Sequence, residues 1–82
     1  FVAKYQNKKN KQSSLDSHID GSEFSFVIAL NDDYDGGELV IENERSIKLS
    51  KGKAVIYPGN LLHRVNEVKC GRRDVFVCWI EV

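Results

Sequence analysis

Apolar and polar positions alternate along most of this chain, in runs too short for helices and broken by turn residues. Phe1–Gln6 alternates, Leu15–Asp20 ends at Gly21, and Phe24–Leu30 (FSFVIAL) is rich in aromatic and β-branched residues before it stops at Asn31. Glu38–Glu42 and Ser46–Leu49 flank a turn at Asn43–Arg45. Ala54–Tyr57 is stopped by Pro58-Gly59, and Leu62–Val68 and Arg72–Val82 flank a turn at Lys69-Cys70-Gly71. Asp and Gly content marks further turns at Asp32–Gly37 (DDYDGG) and Lys51-Gly52-Lys53. Gln6–Ser14 (QNKKNKQSS) is polar and basic, which predicts an exposed loop: a solvated connector, or a flap over a site. No segment keeps a helical period over the ~10 residues a helix needs. About eight short strands with regular turns predict an antiparallel sandwich or barrel, and a jelly-roll barrel suits both that count and a site in its mouth.

Composition narrows the functions open to such a barrel. Eighty-two residues allow one domain with a small core. Hydrophobic residues make up 41%, and twelve basic side chains balance twelve acidic ones. A neutral balance gives no field to draw the whole domain onto nucleic acid or an anionic membrane. No apolar run approaches the ~20 residues of a spanning helix, and no signal-peptide pattern is visible. Cys70 and Cys78 are too few for a disulfide framework and are expected as free thiols, which favours a reducing compartment without fixing a location. The chain starts at Phe1 on what already reads as a strand, so a fragment of a longer protein is expected, with targeting information outside it.

The candidate chemistry uses the only two histidines. His18 and Asp20 stand two apart, which on an extended segment puts both on one face. Gly21 then lets the chain turn away. His63 comes from a different strand. Two imidazoles and one carboxylate can occupy one face of an octahedron, the donor set of a non-haem Fe(II) site. Zn²⁺ takes the same donors, but Arg73 argues against a simple hydrolytic zinc site. Arg73 shares a strand face with Val75, Val77 and Trp79, and a guanidinium on an apolar face needs a partner. That partner is either an internal carboxylate or a bound dicarboxylate gripped by a bidentate pair. Arg72, on the opposite face, is expected in solvent. Tyr5 shares a face with Phe1 and Ala3, where its hydroxyl either reaches the same ligand or serves an ordinary core tyrosine. Trp79 is expected as core packing, against a metal-bound imidazole.

At these residues the chain resembles the 2-oxoglutarate- and Fe(II)-dependent dioxygenases of the prolyl/lysyl hydroxylase type. FVAKY, HIDGSEFSFVIALN and DYDGG look like procollagen lysyl hydroxylase catalytic domains, and DDYDGGELVIE and YPGNLLHRV look equally like bacterial PKHD-type hydroxylases. KGKAVIYPGNLLHRV and GRRDVFVCWI follow in the family's order. The resemblance implies an all-β, double-stranded β-helix (jelly-roll) barrel, here without its N-terminal helical support. Residues 1–82 would form a single Fe(II)/2-oxoglutarate dioxygenase core domain. His18, Asp20 and His63 would hold the metal and carry catalysis, and Arg73 would bind the distal carboxylate of 2-oxoglutarate with Tyr5 beside it. Fe(II), 2-oxoglutarate and O₂ are the implied cofactor and co-substrates, with ascorbate as an accessory reductant.

Two departures from the family pattern stand out. Val75 occupies a position often held by Ser or Thr, so one hydrogen bond to the co-substrate is absent or supplied elsewhere. Trp79 stands where nucleic-acid demethylases of the superfamily carry a further arginine, which counts against a nucleic-acid substrate. The implied substrate is a prolyl or lysyl side chain of a protein or peptide, or a small molecule, and a catalytically silent barrel is the rival from another class. Asp32-Asp33-Tyr34-Asp35 offers either a cation-attracting loop or plain turn chemistry. Lys8, Lys9 and Lys11 offer a contact for an acidic partner.

Overall fold

The computed structural model describes residues 1–9 and 11–81. Asn10, inside the expected Gln6–Ser14 loop, and Val82, at the expected end of the last strand, lie outside the described residues. Ten strands follow in order: β1 Val2–Gln6, β2 Leu15–His18, β3 Phe24–Ala29, β4 Asp35–Gly36, β5 Leu39–Ile41, β6 Arg45–Ile47, β7 Ala54–Pro58, β8 His63–Val65, β9 Val68–Cys70 and β10 Arg72–Ile80. Eight of them form two four-stranded antiparallel sheets, ordered β1-β10-β3-β7 and β2-β8-β5-β6. Consecutive strands thus fall alternately on the two sheets over much of the chain, which is the winding of a double-stranded β-helix. No helix occurs among the described residues, and so none is long and apolar enough to cross a membrane.

The core lies between the two sheets, and the strand period of two decides which residues enter it. From the larger sheet come Tyr5, Val27, Tyr57 and Val75; from the smaller come Leu39, Ile41 and Val65. The opposite parity of the larger sheet puts Val2, Phe24, Ile56, Phe76 and Ile80 on its outer face, all of them exposed. A sheet face this apolar is normally covered; among the described residues nothing helical covers it, in line with a barrel expected without its N-terminal helical support.

The two strands that alternation did not predict are β4 and β9, which pair with each other. β4 lies inside the expected Asp32–Gly37 turn, and β9 takes up most of the expected Lys69-Cys70-Gly71 turn. Two or three residues carry no readable period. Their pairing depends on a bare backbone: a Cβ on Gly36 would run into the Glu67 carbonyl. Val68, the first residue of β9, joins the core and is fully buried. The expected strand Leu62–Val68 is correspondingly split into β8 and β9.

Candidate metal centre and co-substrate cleft

His18 owes its inward aim to a β-bulge. In the β2–β8 pair, Leu15 faces Val65 while His18 faces His63, so β2 spends one more residue than its partner across the same stretch. Leu15 and His18 would otherwise point to opposite faces; with the bulge both line the same cleft. The expectation that His18 and Asp20 share a face of one strand needs correcting. β2 ends at His18, and Asp20 lies beyond it. Asp20 is placed by the chain across from it, its N–H donating to the Gly59 carbonyl at 2.9 Å. Gly59 can approach that closely because it has no Cβ; one would strike the Ser22 carbonyl and hydroxyl.

The result is a tight cluster. One Asp20 oxygen, Oδ1, lies 3.2 Å from His18 Nε2 and 3.3 Å from His63 Nε2. The two imidazole centroids are 4.3 Å apart. Both rings are fixed from behind: His18 Nδ1 donates to the Asp16 carbonyl at 2.7 Å, and His63 Nδ1 donates to the Leu61 carbonyl at 2.8 Å. A carbonyl only accepts, so each Nδ1 carries a proton and each ring turns its Nε2 toward Oδ1. Two imidazole nitrogens and a carboxylate oxygen converging at this separation are the donor set of a cation site. All three donor atoms lie within 4.8 Å of one another, a group that suits one divalent metal ion.

Both sheets line the rest of the cleft. It has a volume of about 410 Å³ and includes Tyr5, Arg73, Val75 and Tyr57 beside the triad. Tyr5 and Arg73 are cross-strand neighbours in the β1–β10 register, and the guanidinium carbon lies 5.0 Å from the phenol centroid. Arg73 is buried yet forms no ion pair among the described residues. Of the two partners left open for it, the internal carboxylate is therefore missing. Its stem lies against Gly37, where a Cβ would come within 3.0 Å of Arg73 Cδ. Arg72, on the outer face, is half exposed and pairs with Asp74 at 3.0 Å, as its parity required.

Trp79 departs from expectation. It lines the cleft but is 53% exposed, its ring tilted against that of Phe1 at 4.9 Å rather than buried on an imidazole. Burial along the inward face of β10 falls from Arg73 and Val75 through Val77, so the last inward residue stands at the open mouth. The residue that does meet an imidazole is Tyr57, edge-on to His63 at 5.0 Å. Burial and the Asp20 carboxylate push the Tyr57 phenol up to about 12, with Ser25 acting the other way. Burial also raises Tyr5, against the pull of Arg73. Both hydroxyls thus stay protonated as donors near the place where Val75 supplies none.

Tyr57, Ser25 and Gly37 were not singled out from the sequence. Ser25 is the one polar residue on the inward parity of β3, with Val27 and Ala29, and it faces Tyr57 in register. A lone serine on the inward parity of an apolar strand is a signal of this kind.

The fold is shared with a solved structure, an oxidoreductase of the 2OG-Fe(II) oxygenase family from Burkholderia pseudomallei, at a TM-score of 0.79 and 26% identity, covering 93% of this chain and 38% of that one. A family model described as the 2OG-Fe(II) oxygenase superfamily matches residues 1–81, and the chain belongs to that superfamily. Similar curated proteins include a PKHD-type hydroxylase of Prochlorococcus marinus, 44% identical across 90% of this chain and 39% of its own length. Another is a PKHD-type hydroxylase of a Psychrobacter species, 44% identical across 84% of this chain and 30% of its own. The chain thus spans about two fifths or less of these relatives. Membership implies Fe(II), 2-oxoglutarate and O₂ as cofactor and co-substrates, and the triad is compatible with iron.

Proposed function

We propose that the protein is an Fe(II)- and 2-oxoglutarate-dependent hydroxylase, with residues 1–82 as its core domain. The observation that carries this reading is the pairing, in one cleft, of a three-donor cation site with a buried arginine that no carboxylate among the described residues answers. His18, Asp20 and His63 would hold the metal through one atom each. Arg73 binds the far carboxylate of 2-oxoglutarate, and the Tyr5 and Tyr57 hydroxyls stand as donors along the same wall. Val27, Leu39 and Val65 keep the floor apolar and dry. Bound there, Fe(II) supplies O₂ activation: 2-oxoglutarate and O₂ with a substrate C–H yield succinate, CO₂ and C–OH.

Between prolyl and lysyl targets, the lining favours an apolar side chain. Among the described residues Asp20 is the only carboxylate on the cleft, and it is one of the three metal donors. The mouth is Phe1, Ile19 and Trp79, all exposed. The acidic run once open as a lysine lure lies elsewhere: Asp32 accepts from the Lys51 N–H, Asp33 from Asn31, and Tyr34 is buried under Lys48. The test has two stages. Anaerobic Fe(II) plus 2-oxoglutarate should give a visible charge-transfer band that disappears in His63→Ala. Proline- and lysine-centred peptides are then offered in air, with succinate release and gain of one oxygen as readouts. No charge-transfer band in the wild-type protein returns the chain to the silent-barrel alternative; oxygen gain on lysine peptides alone reverses the substrate preference.

A further inference from the structure

Asp20 has two oxygens, and they are treated differently. Oδ1 faces both Nε2 atoms. Oδ2 accepts a hydrogen bond from the Ser25 hydroxyl. Ser25 is wholly buried, and its oxygen also lies 3.3 Å from the Ser22 hydroxyl. A serine has one proton to give. The carboxylate is the stronger acceptor, so that proton goes to Asp20, and Ser22 in turn donates to Ser25. The chain Ser22→Ser25→Asp20 then ends on the oxygen turned away from the histidines.

We propose that Ser25 is a positioning residue that limits Asp20 to one-oxygen ligation. This rests on reading the triad as a metal site. A free carboxylate beside a divalent ion readily swings to give both oxygens, which would close one of the positions the co-substrate and O₂ need. The β3 backbone fixes where Ser25 stands: its neighbours in register are Trp79 on one side and Tyr57 on the other. Asp20 itself sits on irregular chain past the end of β2. A rigid strand thus anchors the one ligand that no strand holds. Outer hydrogen bonds of this type orient ligands and commonly change metal affinity 10–100-fold when lost.

The experiment uses Mn(II) as a probe, alone, with bound exchangeable waters counted by relaxivity and affinity measured by EPR titration. The wild-type complex should keep three waters, the complement of three single-atom ligands on an octahedral ion. Two waters in the wild type overturns the proposal without recourse to any variant. Ser25→Ala should bind Mn(II) roughly 10–100-fold more weakly and lose one water. Ser25→Thr, which keeps the hydroxyl, should keep the wild-type count. Ser25→Ala with unchanged affinity and count also overturns it. Failure of the wild type to bind Mn(II) at all is a different result, and sinks the metal-site reading itself.

Discussion

The two ends of the cleft are held in opposite ways. At the metal end, donor groups are tied by a directed hydrogen bond from behind: His18 to Asp16, His63 to Leu61, Asp20 Oδ2 from Ser25. At the anion end, Arg73 is held by shape, with Gly37 beneath its stem and the Tyr5 ring beneath its guanidinium. The first end presents converging negative character that only a cation relieves. The second presents a positive group that only an incoming anion answers. A small barrel cannot bury many polar atoms without cost. Here each uncompensated charge belongs to the end that a ligand of opposite sign is expected to fill.

The largest expected effect separates the two ends. Arg73→Leu should weaken 2-oxoglutarate binding by roughly 2–4 kcal/mol, on the order of 100-fold in Kd, and leave Mn(II) affinity close to wild type. His63→Ala should abolish metal binding, and with it metal-dependent 2-oxoglutarate binding. Calorimetry with metal and co-substrate added in turn checks both. Loss of Mn(II) binding in Arg73→Leu would show that the ends are not independent.

A smaller effect sharpens the claim that packing places the arginine. Gly37 has φ +69°, a conformation that L side chains adopt only at a cost. Gly37→Ala should lower stability by about 1–2 kcal/mol. It should also press the Arg73 stem aside and raise the KM for 2-oxoglutarate severalfold, with metal affinity unchanged. A KM equal to wild type in a folded Gly37→Ala protein would mean that the stem has room to spare.

The same division explains what was legible in the sequence. The facing sheets, the inward parity of β10 and the pairing of His18, Asp20 and His63 all follow from side-chain pattern, and all are found. What pattern could not reveal is backbone-borne. The bulge in β2 adds a residue between Leu15 and His18 without any turn signature, and Asp20 lies past the end of that strand, so plain alternation does not give how either side chain reaches the site. The β4–β9 pair exists because Gly36 brings two main chains together, and glycines there had suggested only a turn. Trp79 was expected inside because parity says which face a residue takes, not how far the opposing sheet reaches. Ser25 and Tyr57 sat on the correct parity, but only their register pairing brings them together beside Asp20.

The subtlest contrast is between the two phenols that flank the ends. Tyr57 feels burial and Asp20 pushing the same way, whereas at Tyr5 the nearby guanidinium opposes burial. A folded-state value of about 12 for Tyr57 lies above the ordinary 10.0. Between those pH values the unfolded chain gives up the proton and the folded one keeps it, so stability falls as pH rises. Stability is fully present below pH 10 and declines by about 2–3 kcal/mol by pH 12 on this account. Tyr57→Phe has no proton to lose and should flatten that decline in urea melts taken across the alkaline range. Tyr5→Phe should flatten it less, because Arg73 already stabilises the phenolate there. Equal flattening in both variants would mean that Arg73 gives Tyr5 no net electrostatic relief. The anion end would then differ from the metal end in shape alone, and the assignment of Arg73 as the charge that waits for a dicarboxylate would lose its electrostatic support.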